Sequence, residues 1–393
     1  MALYFLASIA GLFPALTLPL AFGWKAIHVF DLLFVACIGL AAIKRAWHPP
    51  DWRLFAAGAG VIAAGGIALW VHPSAGGLRA VSAIAYSVVV LLAISHVRLD
   101  AIGVRVDRAI LWPLFVAVGI AWAVFLVENL TGMTLASNNP RSLPAGLHRL
   151  GGFTGANALI LFLCVGAPFV RDPSLLLLKI LLPALATMSR SILGVGIALL
   201  VHGRGPETLK GRARRGILIV SWLSVALALF AYAFAVVPVR AEERIPFHVS
   251  LDAGGYLTLH QAALRMVGSH PIAGLGPARF IREYRTFTSQ AERDRVFEDD
   301  VVGWAPHSAV LGLAAEQGLL GLAAFGWLIY EIFVRLNRLP DPQLRSAAMA
   351  GLTGLLVGGH FVDWLALKGL WLWIGLMVAS RSPTQGNLGG ISL

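Results

Sequence analysis

Apolar runs alternate with short polar connections along most of the chain. The runs fall near 2–22, 28–43, 54–71, 78–96, 109–131, 153–170, 174–187, 191–202, 216–238, 307–334, 347–366 and 369–381. A helix crossing a bilayer needs about 20 predominantly apolar residues. Several of the runs are shorter, so the pattern predicts an all-α integral membrane protein with about twelve transmembrane helices and soft boundaries. One polar segment interrupts it. The expected organisation is a single integral membrane domain, with helices 1–9 over 1–239, a loop with short helices over 240–304, and helices 10–12 over 305–393. Within the loop, Gly254 to Ser269 has helical spacing, with Leu257, Leu264 and Val267 on one side and Pro271 closing the run. A second short helix carries Arg279, Arg282, Tyr284 and Arg285.

Composition agrees with the pattern. The 393 residues are 58% hydrophobic and 13% charged, with mean hydropathy +0.77, whereas soluble domains carry about 25% charged residues. A net charge of +11 in a soluble protein would suggest nucleic acid. In a membrane protein it follows from Lys and Arg that set topology and meet anionic lipid, so membrane lipids and no nucleic acid are expected as partners. With the N-terminus inside, sixteen basic residues fall in cytoplasmic connections, among them Lys44, Arg45, Arg98, Arg105, Arg108, Arg204, Arg215, Arg335 and Arg381; the short outer connections hold six. That bias places the 240–304 loop outside, periplasmic in a Gram-negative cell, with both termini cytoplasmic. No basic n-region precedes the first apolar run, which reads as a retained span. Cys37 and Cys164 lie inside apolar runs, so no disulfide framework is expected.

Two runs are informative because they are short. At 1.5 Å per residue, 174–187 and 191–202 rise only about 18–21 Å, against a hydrocarbon core of about 30 Å. Their cytoplasmic ends are pinned by charge, so the turn Met188-Ser189-Arg190-Ser191 should lie recessed below the outer surface. Arg190 is then either a snorkelling side chain at a helix end or a cation facing a polar cavity or an anion; its depth favours the second. His307 follows Pro306 at the start of a span, which sets its imidazole at the outer interface. Glu316 lies nine residues on, about 13 Å deeper and near the opposite helix face. The two therefore do not form an acid–base pair, and Glu316 is expected to hold a neighbouring span by a hydrogen bond. Asp31, Glu128 and the pair His360/Asp363 are further polar groups inside spans; a structural hydrogen bond is expected of that pair, although it could back a site. His248, His260 and His270 lack ligand spacing and the run 298–300 reads as a solvated loop, so no metal site and no cofactor are expected.

In order along the chain stand Arg149, Gly152, Phe153 and Asn157, then Ser189-Arg190. Arg265 follows, then His270-Pro271 with Gly274 and Gly276, and finally Pro306-His307-Ser308 with Glu316, Gly318 and Gly321. This order, over roughly 145–335, resembles the superfamily of O-antigen ligases and Wzy-type polymerases, bacterial membrane glycosyltransferases. Ser308 departs from it, standing where Asn is usual. The resemblance implies a GT-C-like helical fold in the inner membrane and a glycan donor carried on undecaprenyl diphosphate. It implies transfer to an acceptor hydroxyl at the periplasmic face, without metal or nucleotide sugar. His307 would be the base or orienting group, and Arg190 and Arg265 would bind the diphosphate. Arg149, Arg279, Arg282 and Tyr284 are candidate substrate-binding residues. The chemistry agrees, because two guanidinium forks neutralise a lipid diphosphate without a cation, and an imidazole suits proton removal near neutral pH. A ligase moving polysaccharide onto lipid A–core is expected, with a polymerase as the alternative. A lipid-linked sugar transporter fits less well, because repeated halves and midplane binding groups are missing from the sequence.

Overall fold

The computed structural model describes residues 2–13, 17–18, 27–136, 148–187, 189–202, 253–290, 292 and 306–380. The expected span 216–238, the basic cluster 204–215, Lys25, Arg141, Met188, His248, the run 298–300, Trp304 and Arg381 lie outside the described residues.

The described chain is helical apart from one two-residue antiparallel pairing, Thr17–Leu18 with Ile27–His28. The first helices are α1 (Ala2–Leu12), α2 (Val29–Ile43), α3 (Trp52–Val71), α4 (Ala75–Ser95), α5 (Val106–Thr131) and α6 (Ala156–Gly166). Residues 173–186 form α7 (Pro173–Leu176), a π-helical turn (Leu177–Leu181) and α8 (Leu182–Ala186). The wide turn precedes Pro183, which supplies no N–H to the carbonyl four residues back. Then come α9 (Ile192–His202), α10 (Ala253–Ser269), α11 (Phe280–Glu283), α12 (Ala309–Asn337), α13 (Pro342–Gly358) and α14 (Lys368–Ala379). Four of these, α3, α4, α5 and α12, are long and apolar enough to cross a membrane.

Local sequence chemistry sets the boundaries. Asp51, Ser74, Ser308 and Asp341 each accept an N–H of the first turn of α3, α4, α12 and α13, and Gly132 in the left-handed region ends α5. Two expected spans differ from the structure. In the run 2–22 the described residues include a helix from Ala2 to Leu12 and the two-residue strand Thr17–Leu18. The run 347–366 is a helix from Pro342 to Gly358, followed by turns, so His360 and Asp363 are not on a common helix face.

Antiparallel packing sorts the chain into two ends. Along α3 and α12, Arg335 forks onto Asp51 and also bonds Glu331, whose other oxygen accepts from Trp327 Nε1 at 3.2 Å. Asp51 N in turn donates to His96 Nε2 at 2.9 Å, and Arg98 N donates to Ala46 O. Arg45, Arg53, Arg98 and Arg335 therefore gather at one end. At the opposite end, Ser191 Oγ donates to Gly358 O at 2.8 Å and Ala309 N to Gly359 O at 3.0 Å. The core between contains Phe162, Trp364, Trp371 and Trp373, all essentially inaccessible. Asp31 accepts from Tyr86 Oη at 2.9 Å and Lys368 Nζ at 2.8 Å, so this polar residue inside α2 is paired.

A break in α12 explains why the two glycine-bearing motifs occur together. Gly318 has φ 67° and ψ −165°, a region open in practice only to glycine. The break frees backbone groups on both sides, and the 270–280 segment takes them up. Leu275 N and Gly276 N donate to Ala315 O and Glu316 O, while Leu319 N and Leu320 N donate to Pro271 O and Ile272 O. A Cβ on Gly318 would collide with Ile272 O, and one on Gly274 with the Glu316 carbonyl. Glu316 adds its side chain, whose Oε1 accepts from Phe280 N at 3.1 Å. The carboxylate thus holds the backbone at the start of α11, rather than the neighbouring span expected from sequence. A second small core, of Leu259, Ala262, Ala263, Met266, Leu275, Phe280, Tyr284 and Ala315, seals α10 and α11 onto α12.

Candidate active site

The end of the bundle that carries Gly358 and Gly359 brings several chemistry-bearing residues into one neighbourhood. Arg190 precedes Ser191, which bonds Gly358; His307 lies two residues before Ala309, which bonds Gly359; His360 follows directly. His260, on α10, completes the group. Burial lowers the His307 pKa below its ordinary value, and the charges of Arg190 and His260 lower it further. His260 is shifted the same way, first by burial and then by His360 and Arg190. Both imidazoles are therefore neutral near pH 7.

The sequence around each residue accounts for its placement. His307 has φ 48°, an uncommon left-handed conformation in which His is enriched among non-glycine residues. Pro306 before it is buried, and Ser308 after it caps α12 by accepting from Leu311 N at 3.2 Å. Ser and Asn cap helices about equally well, so the departure at Ser308 preserves this function. The Arg190 turn is buttressed by Arg149, whose Nε donates to Thr187 O at 2.7 Å and Nη2 to Asn157 Oδ1 at 3.2 Å. Leu150 N also bonds Ala186 O. Behind Arg149, the buried pair Glu128 and His148 orders the chain after α5, with Glu128 Oε1 accepting from Leu135 N and Ala136 N.

The other candidates make contacts of their own. Arg265 is exposed and binds Glu292 through both terminal nitrogens, at 2.9 and 2.7 Å, and Phe287 O at 2.7 Å. It is not among the charges that act on His260. Tyr284 is buried in the small core, stacked on Phe280. Arg282 is exposed, and Arg279 lies near His72, whose pKa burial, Arg279 and His270 all lower. His260 was missed by sequence reasoning as a site residue. Its signal was its place beside Leu259 and Ala263 on the packed face of α10, a face legible only once its partner is known. Among the described residues, no cluster of His, Cys, Asp and Glu could hold a metal ion.

These features define a helical membrane protein with an Arg- and His-rich site at one end of its bundle. Residues 175–326 match the family model for O-antigen ligase. The matched range includes Arg190, His260, Arg265, His307 and Glu316, so this part of the chain is similar to the O-antigen ligase/Wzy superfamily. No curated protein matches the chain.

Proposed function

We propose that the protein transfers a glycan from undecaprenyl diphosphate to an acceptor hydroxyl at the periplasmic face of the inner membrane, acting as a ligase onto lipid A–core. The supporting observation is the convergence of Arg190 and His307 on the hydrogen-bonded junction at Gly358 and Gly359. In this reading neutral His307 takes the proton of the acceptor hydroxyl as its oxygen attacks the anomeric carbon. The bond from that carbon to the diphosphate oxygen breaks, and the electron pair leaves with undecaprenyl diphosphate. The Arg190 guanidinium offsets the charge on the departing group. Arg265 joins it by exchanging the Glu292 carboxylate for a phosphate, while Arg279 and Arg282 offer further charge to the glycan phosphates at the loop surface. A twelve-span GT-C-like bundle with cytoplasmic termini carries the site. The basic groups gathered at the Asp51–Arg335 end support that orientation.

The test is complementation of a gene deletion in the host, with surface polysaccharide and lipid-linked intermediates read on one gel. For a ligase, the deletion leaves lipid A–core bare while long polymer collects on the carrier. Lipid A–core bearing one repeat unit would identify a polymerase instead. Full complementation by Arg190→Ala and His307→Ala would overturn the site.

A further inference from the structure

His260 has a feature that none of its neighbours explains. Its Nε2 is buried and has no hydrogen-bond partner among the described residues. A buried nitrogen without a partner is uncommon and calls for a group that fills it, a water, an ion or a ligand. The nitrogen is carried by a well-anchored helix: Leu259, Ala262, Ala263 and Met266 pack α10 onto α12. The charged and titratable groups acting on His260 are Arg190 and His360, and His260 itself acts on His307. Among the described residues, no carboxylate is among the charges acting on His260. Three imidazoles and a guanidinium therefore share one neighbourhood. An anion with several acceptor oxygens can take donors from His260 and the Arg190 guanidinium together.

We propose that His260 is a donor-binding residue, its Nε2–H donating to a phosphate oxygen of the lipid diphosphate beside the Arg190 guanidinium. This rests on the reading above and deepens it. His260 and Arg190 would hold the leaving group, and His307 would act on the acceptor. The pairing also provides a second donor to the diphosphate that needs no exchange of ion pairs, unlike Arg265.

The experiment uses the full-length protein in nanodiscs, with farnesyl diphosphate as the probe and farnesol as its uncharged control. His260→Ala is expected to weaken farnesyl diphosphate binding roughly ten- to a hundredfold, the range for a hydrogen bond to a charged group, and to leave farnesol binding unchanged. His260→Asn keeps an N–H donor and should recover part of the loss. In steady-state transfer, the donor KM should rise in His260→Ala while the acceptor KM stays within about twofold. Binding of farnesyl diphosphate within twofold of wild type in His260→Ala overturns the proposal, as does a rise confined to the acceptor KM. Arg190→Ala separates the two levels. If it too binds farnesyl diphosphate normally, the site of the proposed function fails; if it loses binding while His260→Ala does not, only the role of His260 fails. Should His260→Ala not fold, His260→Gln decides by the same measurements.

Discussion

Replacing Gly318 by Ala tests the physical account of the α12 break. With φ 67° and ψ −165°, an alanine is held in a conformation that costs about 1–3 kcal/mol. Its Cβ would also collide with Ile272 O, so the 271–274 segment must withdraw from the helix. Withdrawal breaks the bonds from Leu319 N to Pro271 O (2.7 Å) and from Leu320 N to Ile272 O (3.2 Å), each worth about 0.5–1.5 kcal/mol net. Together the terms reach about 2–6 kcal/mol. At about 2–4 °C per kcal/mol, a figure for chains shorter than this one, the apparent melting temperature should fall on the order of 5–10 °C. The assay is thermal unfolding of the purified protein in one detergent, paired with transfer activity. Gly326 is the control: it lies in the same helix with open space where its Cβ would go, and Gly326→Ala should be neutral or slightly stabilising. A Gly318→Ala protein that melts within about 2 °C of wild type and retains activity would refute the idea that this backbone break docks the loop.

Other perturbations probe the rest of the site. Arg149→Lys removes a planar fork that spans Thr187 O and Asn157; transfer should fall about tenfold or more in single-turnover assays of folded protein, because the Arg190 turn loses its brace. Arg335→Leu leaves Asp51 and Glu331 in a largely buried position without their cation, so stability should fall by about 3–5 kcal/mol; the donor KM of the folded fraction should stay unchanged. His307 and His260 have depressed pKa values in the fold, so the acid limb of kcat/KM should lie below pH 6.5, the ordinary imidazole value. Their unfolded forms bind protons more readily than the folded ones. The stability linked to them is accordingly full above about pH 6.5 and is lost as pH falls through the lower folded-state values; melting curves at stepped pH check the sign.

Much of the bundle was legible because apolar runs are local signals. The runs 54–71 and 78–96 fall on helices that Asp51 and Ser74 cap in the structure. The errors came from reading apolarity as helix. Residues after Gly358 are apolar yet non-helical, since a Gly-Gly step interrupts the backbone without changing hydropathy. The site was legible in part. Arg190 and His307 stand out as polar groups beside short or Pro-led runs, but His260 does not, because a lone histidine on a loop helix carries no signal until the facing element is known. Asp51 and Arg335 are 284 residues apart, and no periodicity connects them.

The Glu316–Gly318 and His270–Gly276 motifs are halves of one joint, which changes what each can be asked to do. Glu316 is occupied by the backbone of α11, and Gly274 and Gly318 are required by close approach rather than by a ligand. The joint's contribution to chemistry is therefore positional. It fixes α10 and α11 against the first two turns of α12, whose N-terminal end is set by Pro306, His307 and Ser308. A loop anchored at this break holds His260 at a set distance from His307, whereas a loop tethered only at its ends would let the two imidazoles drift apart. Substitutions at Glu316 should then impair binding of the donor and the acceptor together. A loss confined to proton transfer would instead mean that Glu316 touches the reacting groups.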